Sequence, residues 1–246
     1  MIRVTALFFL SFSCVALPAD LNAPGTASPI LDPEKEGLEL AAKLRSTAPT
    51  ADARFTGVLQ ITTRSDKVHV VPIISEITVG QAEWEVVYRT APSSSGPAAT
   101  VTILHSPRGP NRYLVAGETN SSAPISLTQP FAGSDFWLMD LGLEFFHWPQ
   151  QRAVKSEMSR GRPCRVLESV ATNPPREGYA RVLSWVDLET GGVIQAEAYD
   201  RHNKLLKKFT LGSFKKVAGQ WQLRDMKIRN ARTGQQTELK FDLQKK

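Results

Sequence analysis

Apolar and polar residues alternate with a period of two from Arg54 onward, and the alternation returns repeatedly until the end of the chain. This period is typical of strands that bury one face and expose the other. Turn sequences separate the runs at intervals of roughly 8 to 12 residues, which is typical of an antiparallel meander. The pattern predicts strands at 55–62, 68–79, 83–89, 101–105, 112–116, 125–128, 151–159, 162–171, 178–188, 192–200, 204–216, 220–230 and 236–243.

The predicted meander is too long to remain a flat sheet. A flat sheet would leave exposed edges and an uncovered apolar face, so the strands are expected to curl or close. Pro72, inside the second predicted strand, cannot donate a backbone hydrogen bond and therefore indicates an edge position or a bulge. We predict a mainly β fold with helices (α+β), in which a curved antiparallel sheet or open half-barrel of about 11 strands has helices against its concave face.

Helical spacing replaces the period of two just before the first strand. Asp32 is a candidate N-cap, Pro33 suits the first helical position, and acidic residues occupy the first turn. Apolar residues from Leu40 to Ala48 follow at intervals of three and four, and Pro49 ends the segment. The pattern predicts one amphipathic helix at this point.

The segment from Ser134 to Trp148 is also predicted to be a helix, but it is apolar on two sides. Only Asp140 and Glu144, one turn apart, form a narrow acidic stripe. A helix of this composition requires burial on more than one side. Two interpretations are open: the helix plugs the curved sheet, or it lines the mouth of an apolar cavity.

The N-terminus has the organisation of a signal peptide. Arg3 supplies a positive charge, residues 4–15 are mainly apolar, and Pro18 follows where a membrane anchor would have basic residues. The apolar run is shorter than the roughly 20 residues that a spanning helix needs. The alternative is a lipid anchor at Cys14. The predicted organisation is a cleaved signal peptide at 1–19, a flexible segment at 20–31, and a single exported domain at 32–246.

Charge and cysteine content narrow the range of functions. The formal net charge is +6 and the pI about 9.4, but the longest basic clusters are pairs such as Lys207-Lys208. This balance points weakly to anionic surfaces and does not indicate nucleic-acid binding. Cleavage after residue 19 would leave Cys164 as the single cysteine, which we interpret as a buried core residue. Without a CxxC motif or a Cys/His cluster, no metal site or other cofactor is expected.

The sequence does not contain a recognisable catalytic motif. The histidines are scattered, without an HExxH or GxSxG motif, at His69, His105, His147 and His202. His147 lies beside the apolar segment and is interpreted as a helix-end residue. Asp140 and Glu144 are accounted for as the surface of a helix. We therefore predict that the protein is not an enzyme.

Five short runs occur in a defined order: Phe131–Leu141, Gly161–Glu168, Trp185–Asp187, Ala198–Lys207 and Thr237–Leu239. In this order and spacing the chain resembles bacterial outer membrane lipoprotein-sorting proteins with a LolA-like fold, and it is most similar to their broad uncharacterised branch. The resemblance covers most of the chain after the N-terminal segment. It implies an open β half-barrel whose apolar interior accepts acyl chains.

The function implied by this resemblance is a periplasmic binder or carrier of lipoprotein acyl chains or other lipid, which contributes to outer-membrane lipoprotein sorting. Burial of an acyl chain contributes about 0.8 kcal/mol per methylene and needs apolar walls instead of catalytic groups. The candidate wall residues of the hydrophobic cavity are Phe131, Phe136, Trp137, Leu141, Phe145, Phe146, Trp84, Val86 and Tyr88. Membrane-associated envelope proteins are further candidate partners, nucleic acid is not, and we expect a monomer.

Three classes of function make different structural predictions. A carrier predicts a continuous apolar cavity and lipid that co-purifies with the protein. An interaction or sensor module of the same fold, without a transport role, predicts a filled interior and an exposed apolar or basic docking patch. A secreted hydrolase predicts convergent polar side chains within hydrogen-bond reach in a cleft.

Overall fold

The computed structural model describes residues 29–93, 96–116, 125–217 and 220–242. The predicted signal peptide at 1–19, most of the predicted flexible segment at 20–31, and Cys14 lie outside the described residues. Within the described ranges, no helix is long and apolar enough to cross a membrane.

Most of the described chain is β structure. The helices are α1 (Pro33–Ser46), α2 (Leu138–Gly142) and a 3₁₀ helix (Glu144–His147). The strands are β1 (Ala53–Thr62), β2 (Val68–Val79), β3 (Trp84–Thr90), β4 (Thr100–His105), β5 (Arg112–Val115), β6 (Gln150–Ser159), β7 (Arg162–Val170), β8 (Arg181–Asp187), β9 (Val193–Tyr199), β10 (Leu205–Leu211), β11 (Phe214–Val217), β12 (Gln220–Leu223), β13 (Asp225–Asn230) and β14 (Gln236–Phe241).

Twelve of these strands form one antiparallel sheet in the order β5-β4-β3-β2-β1-β14-β13-β10-β9-β8-β7-β6. β1 pairs with β14, from Gly57 opposite Phe241 to Thr62 opposite Gln236, so the first and last described strands are neighbours in the middle of the sheet. The sheet is open and curved, with β5 and β6 as its edges. The predicted mainly β fold with a curved antiparallel sheet is therefore confirmed.

Two predicted strands are each divided in two. The ranges 204–216 and 220–230 break near Gly212 and Arg224, and the short hairpin of β11 and β12 forms a separate sheet. At the break, the side chain of Asp225 accepts from the backbone N–H of Ser213, and a Cβ at Gly212 would lie 1.4 Å from an Asp225 carboxylate oxygen. Glycine is therefore required there. The predicted strand at 125–128 is wrong, because its backbone bonds to the start of α2 instead, with Met139 N–H donating to the carbonyl of Leu127.

Pro72 lies at a local edge of the sheet, which is one of the two positions predicted for it. β2 is an interior strand, but its ladder with β3 begins at Ile73 opposite Thr90. Val68 to Pro72 therefore extend past the end of β3 and pair with β1 alone among the described strands, where a missing N–H costs no ladder bond.

α1 begins as predicted and packs closely on β6. The Asp32 side chain accepts from the backbone N–H of Lys35 at 3.0 Å, and Pro33 is the first helical residue. A Cβ at Gly37 would lie 2.4 Å from the backbone of Arg152, so glycine allows the helix to approach the strand. Ala41, one turn further on, is fully buried.

The predicted continuous helix from Ser134 to Trp148 is wrong. Asp140 accepts from the backbone N–H of Trp137 at 2.8 Å, and this capping contact starts α2 only at Leu138. Leu143 then adopts left-handed dihedral angles, φ 52° and ψ 41°, and ends α2 before the 3₁₀ helix begins. Periodicity detected the burial of the segment but not this interruption.

Candidate functional site

Residues 131–148, which we call the plug segment, pack against the apolar face of the sheet. Phe136, Leu138 and Leu141 belong to a core cluster with residues of β1 to β4. Met139 and Phe146 belong to a second cluster with Ala41 of α1 and residues of β7 to β10. The plug segment therefore joins the two halves of the core.

A pair of hydrogen bonds attaches the start of the plug segment to β14. The Thr237 hydroxyl donates to the carboxylate of Asp135 at 2.9 Å and accepts from the backbone N–H of Asp135, also at 2.9 Å. Both residues are buried. Burial raises the pKa of Asp135 above its ordinary value, and the hydrogen bond from Thr237 acts against this rise.

Lys207 of β10 attaches the middle of the plug segment to the sheet. Its side chain is only 2% exposed, and its Nζ donates to the carbonyl of Asp135 at 2.6 Å and to Asp140 Oδ2 at 3.0 Å. The same nitrogen lies 3.5 Å from the ring centroid of Trp137, which adds a cation–π contact. Burial lowers the pKa of Lys207 to about 8, although the carboxylate of Asp140 favours the protonated form.

Asp140 receives three hydrogen bonds in this interior. Besides Lys207 and the Trp137 backbone, the Tyr179 hydroxyl donates to Asp140 Oδ1 at 2.8 Å. Burial holds the pKa of Tyr179 well above its ordinary value. We call Lys207, Asp140 and Tyr179 the buried polar cluster. Each of these bonds fixes the plug segment, so the observed contacts have a structural role.

A β-bulge lies just before Lys207. The pairing of β10 with β9 shifts register between Leu205 and Lys207, and as a result the consecutive residues Leu206 and Lys207 are both buried. The next residue, Lys208, faces the other side and pairs with Glu197 at 2.8 Å. Two adjacent lysines therefore have opposite environments.

A second polar group attaches the end of the plug segment to β5. Tyr113 donates to the carboxylate of Glu144 at 2.9 Å, and the Asn111 amide donates to the carbonyl of Gly142 at 2.7 Å. A Cβ at Gly142 would lie 2.0 Å from the Tyr113 hydroxyl, so only glycine allows this approach. Burial raises the pKa of Glu144, while the bonds from Tyr113 and Asn111 lower it.

An apolar cavity of about 40 Å³ lies between the plug segment and the sheet. Its polar lining comes from the buried polar cluster, and the other walls are apolar side chains. The lining residues are Phe136, Asp140, Leu141, Leu143, Phe145, Tyr179, Val182, Val193, Ala196, Ala198, Lys207, Phe209, Met226 and Ile228. The cavity is far smaller than the roughly 300–1,000 Å³ of typical ligand pockets.

The structure places the nine predicted wall residues in different parts of the interior, and only some of them line the cavity. Phe136, Leu141 and Phe145 line the cavity. Trp137 stacks on Tyr179 with ring centroids 4.7 Å apart, and Phe146 packs in the cluster that contains α1. The remaining four are buried with the β1 to β4 side of the core and do not line the cavity: Phe131, Trp84, Val86 and Tyr88.

Cys164 and His147, which the sequence analysis also considered, do not belong to the cavity lining. Cys164 is buried, as predicted, and burial raises the pKa of its thiol to about 11. His147 is the last residue of the 3₁₀ helix, and burial lowers its pKa to about 4, helped by the nearby charge of Arg45. Among the described residues, no three His, Cys, Asp or Glu side chains are grouped so that they could hold a metal ion.

The buried polar cluster is the part of the site that sequence patterns did not identify. Asp140 looks like the exposed stripe of a helix, and Lys207-Lys208 looks like a solvated basic pair. The period of two contained a usable indication, because Lys207 stands in the same alternation as Phe209 and Leu211. A lysine at an inward position of a strand predicts a buried partner of opposite charge.

Comparison with known proteins gives one family match and several structural matches. The model of a family described as uncharacterized protein matches residues 81–245. A search of curated proteins gives no match.

Three solved structures share the architecture over most of the chain. A DUF1329 family protein from Desulfovibrio piger is 20% identical, covers 86% of this chain and 92% of its own, and has a TM-score of 0.69. A domain described as an outer membrane lipoprotein-sorting protein, from Vibrio parahaemolyticus, is 22% identical; the match covers 85% of this chain and 91% of that chain, with a TM-score of 0.63. A LolA superfamily protein from Nitrosomonas europaea is 19% identical; the match covers 86% of this chain and 92% of that chain, with a TM-score of 0.56. At these identities the likeness establishes the fold.

Proposed function

The chain belongs to the family of uncharacterized proteins matched at residues 81–245 and has a LolA-like fold, and on this premise we propose that it binds acyl chains of lipoproteins or other lipids in the periplasm. Its proposed role is to carry these chains in outer-membrane lipoprotein sorting, without catalysis. The observation that carries the proposal is the apolar cavity between the plug segment and the sheet. Such walls suit an acyl chain, since each buried methylene contributes about 0.8 kcal/mol.

The proposed binding requires the plug segment to move. A cavity of about 40 Å³ has room for only a few water molecules, so an acyl chain must displace residues that now fill the interior. The plug segment is the part of the lining that can move without separating paired strands, because it contributes no strand to the sheet, but its movement would break the bonds at Thr237, Lys207 and Tyr113. Outward movement would join the cavity to the space that Phe136 and Phe145 now occupy.

Native mass spectrometry and a fluorescent fatty acid test this proposal. Protein purified without detergent is expected to carry lipid adducts and to take up the fatty acid with saturable affinity. The variant Ala196→Leu places a larger side chain on β9 in the space proposed for the acyl chain, and overpacking of the lipid-bound state by about 1–3 kcal/mol predicts binding weaker by about 5- to 150-fold.

The matched control is Thr210→Leu. Thr210 follows the lining residue Phe209 on β10, but its side chain points to the other face of the sheet. This variant is expected to bind like the parent protein, and thermal unfolding of both variants checks that they fold. A single species at the polypeptide mass, with no uptake of fatty acid, would refute the carrier role.

An interaction or sensor module without a transport role is the second candidate. It is favoured by the small volume of the cavity, since a module of this kind needs a filled interior and an accessible docking patch. The same experiment separates the two candidates. The module predicts no lipid adduct and no difference between Ala196→Leu and Thr210→Leu.

A further inference from the structure

An open groove with three arginines lies where the β1–β2 and β13–β14 hairpins meet. Its volume is about 510 Å³, and Arg64, Arg229 and Arg232 line it with Asp66 as the only acidic lining residue. All three arginines are exposed. None of their guanidinium groups has an ion-pair or hydrogen-bond partner within the described ranges, whereas arginines such as Arg54, Arg112 and Arg181 are paired with carboxylates.

The two hairpins hold the arginines in one place. Thr62 pairs with Gln236, and Gln236 pairs with Arg229, so three neighbouring strands end in register beneath the groove. The turns above them are in contact, because a Cβ at Gly234 would lie 3.6 Å from Cγ of Arg64. The Asn230 side chain accepts from the backbone N–H groups of Arg232 and Thr233, which fixes the second turn.

Exposed apolar side chains lie beside the groove. Val68 and Val70 are 51% and 52% exposed. Val68 pairs with Thr62, which lines the groove, and both side chains point to the same face because paired residues share a side of the sheet. This stretch of β2 extends past the end of β3. The end of the sheet therefore presents two valines next to unpaired positive charge.

We propose that this groove and the adjacent valines form a docking surface for membranes that contain anionic phospholipids. The arginines contact headgroup phosphates, for which the guanidinium fork is well suited, and the valines contact the headgroup–acyl boundary. A lipid surface fits better than free phosphate, because the lining groups are exposed on open turns and free phosphate gives the valines no partner. The net charge of +6 favours the same approach over longer distances.

This docking surface is separate from the proposed acyl-chain cavity. The groove lies on the outer face at one end of the sheet, and none of its lining residues lines the cavity. The proposal goes beyond the binding of acyl chains, and it can fail or succeed independently of that function.

Vesicle co-sedimentation with the full chain tests the proposal. Protein is mixed with vesicles of phosphatidylcholine alone or of phosphatidylcholine with phosphatidylglycerol, at low and high salt. Binding is expected for the anionic vesicles and is expected to decline with salt. The variant Arg64→Gln/Arg232→Gln is expected to bind about 30-fold more weakly, which corresponds to about 1 kcal/mol per arginine.

The matched control removes the same charge at the opposite ends of the strands. Arg108 lies between β4 and β5, and Arg224 lies just before β13; both are exposed and have no guanidinium partner within the described ranges. Arg108→Gln/Arg224→Gln is expected to bind like the parent protein, and all proteins share the same N-terminal segment. Equal losses in both variants, equal binding to neutral vesicles, or retention of inorganic phosphate without vesicle binding would each overturn the proposal.

Discussion

Lys207 is the residue on which the position of the plug segment depends most directly. It is the positive partner of Asp140, and it also donates to the carbonyl of Asp135. Its removal would leave a buried carboxylate and a buried carbonyl without these bonds. Breaking a buried ion pair from one side is much more costly than replacing both partners, because one charge stays buried without its counter-charge.

The substitution Lys207→Met is therefore expected to lower the free energy of unfolding by about 3–5 kcal/mol. Urea denaturation at neutral pH measures this change. Lys208→Met is the control: Lys208 is 45% exposed and pairs with Glu197 on the other face, and the loss of such a pair costs about 0.2–1 kcal/mol. Similar losses for the two variants would show that the buried pair does not stabilise the fold.

The contrast between these lysines shows what sequence patterns can and cannot give at the residue scale. The alternation in β10 places Lys207 with Phe209 and Leu211, which is enough to predict burial. The partner could not be predicted, because Asp140 lies 67 positions away along the chain. Asp140 also lies in α2, a short helix that begins at Leu138 and ends before Leu143, and the sequence pattern did not predict these bounds.

At the scale of elements, the contact between α1 and β6 depends on Gly37. Glycine within a helix costs about 1 kcal/mol relative to alanine, so propensity alone predicts that Gly37→Ala stabilises α1. The packing predicts the opposite, because the new Cβ would lie 2.4 Å from the Cα and N of Arg152, and backbone atoms cannot yield as a side chain can.

We expect packing to dominate, so that Gly37→Ala lowers the free energy of unfolding by about 1–3 kcal/mol. Glu39→Ala, at an exposed position two residues further along α1, is the control and is expected to change it by less than about 0.5 kcal/mol. Thermal or urea unfolding gives both values. A gain in stability for Gly37→Ala would mean that α1 does not rest on β6 at this distance.

The elements themselves differ in how well sequence predicts them. β2 occupies Val68–Val79 as predicted, because alternation and flanking turns are local properties. The plug segment has a helical apolar pattern but is interrupted at Leu143, where tertiary contacts of Glu144 with Tyr113 and of Asp140 with Lys207 fix the backbone. Local patterns cannot include such distant partners.

At the scale of the whole molecule, curvature was predictable and the strand order was not. A one-sided apolar face on a long meander requires the sheet to curl. The pairing of β1 with β14 joins positions almost at opposite ends of the described chain, and no turn sequence indicates it. This pairing brings Thr237 of β14 beneath Asp135 of the plug segment, so the attachment of the plug depends on a contact that only the complete fold forms.

A reversible cross-link at this attachment tests whether the plug segment moves as one part. In Asp135→Cys/Thr237→Cys, a disulfide would replace the two hydrogen bonds that now join the segment to β14. If acyl chains enter by displacing the plug, uptake of fluorescent fatty acid should fall in proportion to the disulfide formed and return after reduction. The reduced protein is the control for loss of the native bonds, and Asp135→Cys alone controls for oxidation of the buried Cys164. Uptake that is unchanged by the cross-link would mean that the start of the plug segment stays in place and that lipid, if bound, enters by another route.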